Sequence, residues 1–323
     1  MVRYLIRRFL WAVVLFIAIT IITYIIFFMI PTDPARKACG QLVTPACVRE
    51  ARHYLGLDRP VYIQYYKFLE RLVVHQSLGR SFANRQNINT IIARAAPVTA
   101  SLVFGGAITW LLIAIPIGVL SALRPRTLLD RSAMVFVLVG ISAHPVWIGL
   151  IFSWFFGYKL GITPIAGYCN AISPPPGAPC GGVVQWFYHM ILPWITFAIL
   201  FAALYVRMIR ANVMETLNED YVRTARAKGA PERQVMVKHV LRNAMLPVVT
   251  MLGMDIAVGL GGAVFTETVY SLHGLGQTLV QSLSNDDLPT TQGVVVFATL
   301  SIIVFNLIVD LAYAVIDPRI RLT

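Results

Sequence analysis

Six stretches of this chain are each long and apolar enough to cross a lipid bilayer, which leaves little room for any other kind of fold. A helix spanning a hydrocarbon layer of about 30 Å needs roughly 20 mostly apolar residues. The runs are 9–30, 97–123, 132–156, 186–208, 246–266 and 293–315. Arg3, Arg7 and Arg8 ahead of the first run imitate a signal peptide. The run outlasts such a segment, however, and no small-x-small cleavage site follows it, so it reads as a retained span. Pro116, Pro145 and Pro193 lie inside three runs, which a membrane helix tolerates better than a soluble one. Asp255 in the fifth run costs roughly 2.5–3.5 kcal/mol at a bilayer centre. Apolar neighbours such as Val248, Leu252 and Ile256 offset it at about 0.3–0.6 kcal/mol each.

Composition agrees. Only 13% of the 323 residues are charged and 57% are hydrophobic, against about 25% charged in soluble domains. That excludes an ordinary soluble enzyme, and the apolar content excludes disorder. A net charge of +12 would point to nucleic acid if the basic residues lined a soluble surface. Here they sit between apolar runs, where they set membrane orientation, and no nucleic-acid partner is expected.

Arg3, Arg7 and Arg8, then Arg124, Arg126 and Arg131, then the stretch 207–242, and finally Arg319 and Arg321 all fall on one side of a six-span layout. The short connections on the other side carry only Lys159. Both termini are therefore expected in the cytoplasm. Segment 31–96 is rich in arginine, but loops beyond about 60 residues translocate largely regardless of charge. The expected organisation is 1–30 as N-terminus and first span, 31–96 as an extracytoplasmic module, and 97–323 as a five-helix core with a cytoplasmic loop at 209–245. Within the module, Pro60 predicts a helix start, and Val61, Tyr65, Phe68, Leu69 and Leu72 recur at helical spacing. Such a helix serves either as a cap over the outer mouth or as a docking surface.

All four cysteines fall on the outer side: Cys39 and Cys47 in the module, Cys169 and Cys180 in the next outer loop. An oxidising compartment favours two disulfides. Sequence alone allows three pairings, of which the local one, Cys39–Cys47 with Cys169–Cys180, is preferred. A metal site is disfavoured because neither pair has CxxC spacing and no histidine adjoins it in sequence.

The connection 207–246 is too long for a simple turn. Thr216-Leu217-Asn218-Glu219 matches a capping box, and Lys228, Gly229 and Pro231 give a C-terminal stop. A short helix is expected over 217–228, with Leu217, Tyr221 and Ala225 as its apolar stripe. A second helix should start at Pro231 and run through Val235, Val240 and Leu241. The first can transmit a push from a cytoplasmic partner, or it can lie inertly on anionic lipid.

The run Asp220-Tyr221-Val222-Arg223-Thr224-Ala225-Arg226-Ala227-Lys228-Gly229, followed by Arg242-Asn243-Ala244-Met245-Leu246-Pro247, resembles the cytoplasmic loop of ABC importer permeases. The resemblance is to the dipeptide/oligopeptide group, which also includes permeases for nickel chelates and glutathione. Arg223 and Thr224 replace the first two residues of the wider family's Glu-Ala-Ala-x-x-x-Gly, while Ala225 and Gly229 match it. Leu78-Gly79-Arg80-Ser81-Phe82, Gly261-Gly262-Ala263-Val264-Phe265-Thr266-Glu267, Gly274-Leu275-Gly276 and Asp317-Pro318-Arg319-Ile320-Arg321 resemble further group signatures in the same order. His273 and Leu288 depart from it.

The resemblance implies an all-α integral membrane protein with the six transmembrane helices of a type I ABC importer, in a bacterial or archaeal cytoplasmic membrane. It implies a second homologous permease, two ATPases holding ATP and Mg, and an extracytoplasmic solute-binding protein as partners, within membrane lipid. It also implies a coupling role for Leu217, Tyr221, Arg223, Thr224, Ala225, Lys228 and Gly229. No G-x-x-x-x-G-K-[ST], H-E-x-x-H or G-x-S-x-G occurs, so the chain is expected to be non-catalytic and to hold no cofactor.

Polar groups at helical spacing mark the expected translocation path: Asp255, Gly259, Gly262 and Thr266, with Glu267 near the outer mouth. Glycines allow close helix approach. Asp255 either attracts a peptide's ammonium terminus or makes an interhelical hydrogen bond. Asp310 is expected to pair with an arginine, and His144 to pack through a hydrogen bond. A secondary transporter would show inverted repeats, which are not evident, and would leave the capped loop helix without a purpose. A membrane enzyme would need a second acid or base at the depth of Asp255.

Overall fold

The computed structural model describes residues 2–26, 35–36, 39, 44–54, 58, 60–171 and 180–316, the side chains of 2–5, 51, 54 and 310–316 aside. Among these residues every extended element is a helix. In chain order they are α1 (Val2–Tyr24), α2 (Pro45–Tyr54), α3 (Val61–Val73), α4 (Ile88–Leu123), α5 (Leu128–Ser142) and α6 (Pro145–Phe152), which widens into a π-helix over Ser153–Lys159. Then follow α7 (Val183–Leu217), α8 (Asp220–Ala227), α9 (Glu232–Ala244), α10 (Leu246–Leu260), α11 (Val264–Val269), α12 (Leu275–Ser284) and α13 (Leu288–Ile316).

Four helices are long and apolar enough to cross a membrane, and the count rises to six if each of two bent pairs is one span. The six expected runs are reached on that count alone, the third as Leu128–Ser142 with Pro145–Lys159 and the fifth as Leu246–Leu260 joined to Glu232–Ala244 across a 45° bend. The third run is bent by 103° between Ser142 and Pro145. Pro145 has no N–H to give the preceding turn, Ala143 is extended, and His144 Nδ1 accepts the Val146 N–H at 3.3 Å. His144 is thus an N-cap, its ring edge-on to Phe265 at 4.8 Å. The fifth run ends as helix at Leu260, because Gly262 adopts φ +129°, a conformation open mainly to glycine. Pro193, by contrast, sits within α7 without ending it.

The chain divides into two compact units. The first comprises 1–100, 257–264 and 273–323. Here α1 packs on α13, and Tyr24, Phe68 and Val296 form a buried cluster joined by Phe16, Tyr65 and Leu72. Of the stripe read from the sequence, Tyr65, Phe68 and Leu72 reach this core, while Val61 is exposed. Tyr24 Oη donates to Gln64 Oε1 at 2.9 Å, and the Tyr65 and Thr20 hydroxyls share a bond of 2.9 Å. A second cluster gathers Ile88, Ile92, Ala95, Leu275 and Val294. Asp287 ties the turn after α3 to the start of α13, accepting from Ser81 Oγ (2.5 Å), Phe82 N (2.9 Å) and Thr290 Oγ1 (2.7 Å).

The second unit comprises 101–256 and 265–272. Trp110 is fully buried, stacked on Phe201 at 4.6 Å and flanked by Tyr205 at 5.8 Å. Gly140 brings α5 so close to α7 that a Cβ there would lie 2.7 Å from Ala203 Cβ. At Gly105 a Cβ would meet the Trp194 indole at 2.1 Å, and that indole donates to Ser101 O at 2.9 Å. Gly105→Ala should therefore displace the ring and destabilise the unit by about 1–3 kcal/mol, a loss readable as a lowered unfolding temperature in nanodiscs. Unchanged unfolding would mean that the indole has room to move.

The structure joins Cys39 to Cys47, with Cα atoms 6.1 Å apart, and Cys169 to Cys180, at 5.5 Å. Non-reducing peptide mapping should recover both links, and crossed pairs or free thiols would contradict this geometry. His189, remote in sequence from Cys169, folds to within 3.3 Å of its sulfur. With both sulfurs in a disulfide, no thiolate is left to join that imidazole as a metal ligand.

Candidate functional site

The connection between α7 and α10 carries a run of exposed, mostly polar residues over 218–224 and 226–229, broken by the buried Val222. α7 runs unbroken to Leu217, so Thr216 is interior to it and donates its hydroxyl to Asn212 O at 2.7 Å. The expected capping box therefore does not form, and the short helix begins at Asp220 rather than 217. Glu219 is its N-cap through backbone alone, its carbonyl accepting from Val222 N and Arg223 N. Lys228 closes the helix, and Gly229 follows at φ +78° with its N–H on Arg226 O at 2.9 Å.

The stripe differs from expectation too. Val222 is fully buried, while Tyr221 is 40% exposed and anchored by its hydroxyl, which accepts from Asn243 Nδ2 at 2.8 Å. Ala225 is half-buried and Leu217 belongs to α7. Helix α8 is thus held from beneath by Val222 and from the side by α9. Arg223, Thr224 and Lys228 face outward. Arg226 clamps Glu232 through two bonds of 2.6 and 3.1 Å, fixing the turn between α8 and α9. The guanidinium holds the Glu232 carboxyl below its ordinary range. Val235 and Val240 are buried as α9 widens into a π-helix. The product is a short platform whose exposed face carries both signs, Arg223 beside Asp220 at 3.8 Å and Arg226 on Glu232, with Lys228 and a glycine at its tip.

The residues assigned to a path do not share one helix. Asp255 and Gly259 lie on α10, Gly262 lies in the break, and Thr266 and Glu267 lie on α11. Asp255 is half-buried and accepts from Tyr205 Oη at 2.6 Å, the interhelical hydrogen bond weighed above. A Cβ on Gly262 would meet Gly276 Cα at 3.1 Å, so the two glycines permit a backbone crossing. Glu267 corrects an expectation: its side chain is fully buried rather than wet at a mouth. The side chain of Asp310 and the ending 317–321 lie outside the described residues.

Two clusters escaped sequence reading. One is the Asp287 staple described above. The other is Asp130, only 5% exposed, which meets Arg210 at 2.7 Å. Thr127-Leu128-Leu129-Asp130 is itself a capping-box pattern, and Thr127 does cap α5, so the sequence held a signal for that end.

Comparison with known proteins places this chain among transport permeases. The model of the binding-protein-dependent transport system inner membrane component matches residues 114–322, and the corresponding N-terminal model matches 1–103. DdpB of Escherichia coli (strain K12), named as a probable D,D-dipeptide transport system permease protein, is 36% identical over 98% of this chain and 97% of its own length. The dipeptide transport system permease protein DppB of the same strain is 34% identical over 99% of both chains. The di/tripeptide transport system permease protein DppB of Pseudomonas aeruginosa (strain UCBPP-PA14) is 36% identical, again over 99% of both. Among solved structures, a chain of the MetNI methionine ABC transporter in an inward-facing conformation is alike in fold, with TM-score 0.56 and 17% identity over 70% of this chain and 96% of that one. The chain therefore belongs to the family of binding-protein-dependent transport system inner membrane components, multi-pass permeases with no catalytic task of their own.

Proposed function

We propose that this protein is a permease subunit of an ATP-driven importer of dipeptides or oligopeptides, and that α8 is the element on which a partner ATPase pushes. The observation that carries the reading is full-length similarity, at 34–36% identity, to permeases named for dipeptides, joined to an exposed platform at α8. In this reading α8, α9 and both termini are cytoplasmic, consistent with the arginine distribution, and both disulfides lie outside. A second homologous permease completes the pore, two ATPases bind nucleotide, and a solute-binding protein delivers substrate to the outer face. ATP-driven closure of the ATPases displaces α8 and rocks the helices between inward and outward openings. Leu217, Ala225 and Gly229 shape the platform, Tyr221 braces it, and Arg223, Thr224 and Lys228 meet the partner. Asp255, Gly259, Gly262, Thr266 and Glu267 belong to the path or to its gate.

The test is reconstitution with the partner subunits in proteoliposomes and uptake of labelled di- to oligopeptides. Vanadate-sensitive, ATP-dependent peptide uptake is expected. Uptake only of a nickel chelate or glutathione would move the substrate within the family, and uptake without ATP would overturn the reading. A paired comparison probes the path. Asp255→Asn keeps the acceptor for Tyr205 and removes the charge, so it should raise the peptide concentration for half-maximal uptake by about 10-fold if the carboxylate meets an ammonium group. An unchanged value would leave Asp255 with the Tyr205 bond alone.

A further inference from the structure

We propose that Asp130 and Arg210 form a rigid joint that carries motion of α8 into the α4–α5 turn, making both positioning residues of the transport cycle. This rests on the reading of α8 given above. Arg210 lies seven residues, about two turns, before the end of α7, and only Asn218 and Glu219 separate that end from α8. Its guanidinium grips Asp130 in a fork, Nε to Oδ1 at 2.7 Å and Nη2 to Oδ2 at 3.0 Å. The same carboxylate accepts from Ser121 Oγ at 2.5 Å and from Arg126 N at 2.8 Å. One buried side chain thus pins together the end of α4, the turn after it, the start of α5 and the last part of α7.

Stability alone does not call for this arrangement. Thr127 already caps α5, and a buried ion pair is often replaceable by apolar residues at no loss. The close α5–α7 approach at Gly140 is apolar and supplies no directional bond between the two helices. A bidentate fork is directional, since its two parallel bonds fix rotation as well as distance. Displacement of α8 therefore reaches α4 and α5 as a rigid movement instead of dissipating in side-chain rearrangement.

The experiment uses the assembled transporter in proteoliposomes and reads peptide taken up per ATP hydrolysed, beside complex yield and unfolding temperature. Arg210→Lys keeps the charge and loses the fork. Asp130→Asn combined with Arg210→Gln keeps a neutral hydrogen-bonded pair and leaves no orphaned charge. Both should assemble and hydrolyse ATP while uptake per ATP falls about 10-fold. Ser121→Ala, which spares the ion pair and frees only α4, should lower it about 5-fold, and it decides the matter if the other variants fail to assemble. Wild-type uptake per ATP in the double variant, or in Ser121→Ala where that variant decides, overturns the joint. Gly229→Asp run in parallel separates the two levels. If it uncouples while the joint variants do not, only the joint fails; if it too transports normally, the reading of α8 fails.

Discussion

Gly229→Asp is expected to leave the protein folded and assembled while lowering peptide uptake at least about 10-fold, with ATP hydrolysis continuing. The structure separates those two effects. Beyond its own chain neighbours, no atom lies within 4 Å of where a Cβ would stand on Gly229, so the substitution meets no clash. Its φ of +78° costs an ordinary residue about 1–2 kcal/mol, and aspartate is among the more tolerant there. Folding survives that. Coupling, in the reading proposed above, should not, because a carboxylate then sits at the C-terminal end of α8, where the helix dipole is already negative, beside the outward-facing Lys228. If α8 is the contact proposed above, the new carboxylate would offset the Lys228 charge at the tip that meets the partner. Rates of hydrolysis and uptake measured on one preparation check this, and a normal ratio would remove Gly229 from the coupling surface.

The second large effect concerns stability. Asp287→Leu should cost the first unit about 3–5 kcal/mol, because the carboxylate is buried and its loss strands several donors at once. Ser81 Oγ, the Phe82 N–H and the Thr290 hydroxyl all point at it. Asp287→Asn retains one acceptor oxygen and should lose roughly half as much. Thermal unfolding in nanodiscs orders the three proteins as wild type, Asn, Leu. Equal unfolding temperatures would show that water replaces the lost acceptor and that the turn is not held from Asp287.

How legible this was in the sequence depends on the range over which each cause acts. Apolar runs are local and long, so the spans could be counted, and the start of α3 after Pro60 is likewise a local steric effect. The break at Pro145 was visible as a proline, but whether a proline bends or is absorbed depends on its neighbours. Pro193 is buried inside the continuous α7, whereas Pro145 follows a histidine that caps the new helix. The capping box at Thr216 failed because α7 continues through it, a tertiary outcome that no four-residue pattern contains. Glu267 lies on α11, beyond the end of α10, so counting residues along one straight helix does not give its burial. Asp130 with Arg210, and Ser81 with Asp287, are pairs 80 and 206 residues apart, and a single sequence carries no signal that joins them.

The most direct measurement places a photo-crosslinking residue at Thr224, on the outward side of α8, in the transporter assembled with its partners. A covalent adduct to an ATPase subunit, with a yield that changes when ATP is trapped, is the expected result. Adducts to lipid alone, in every nucleotide state, would contradict it.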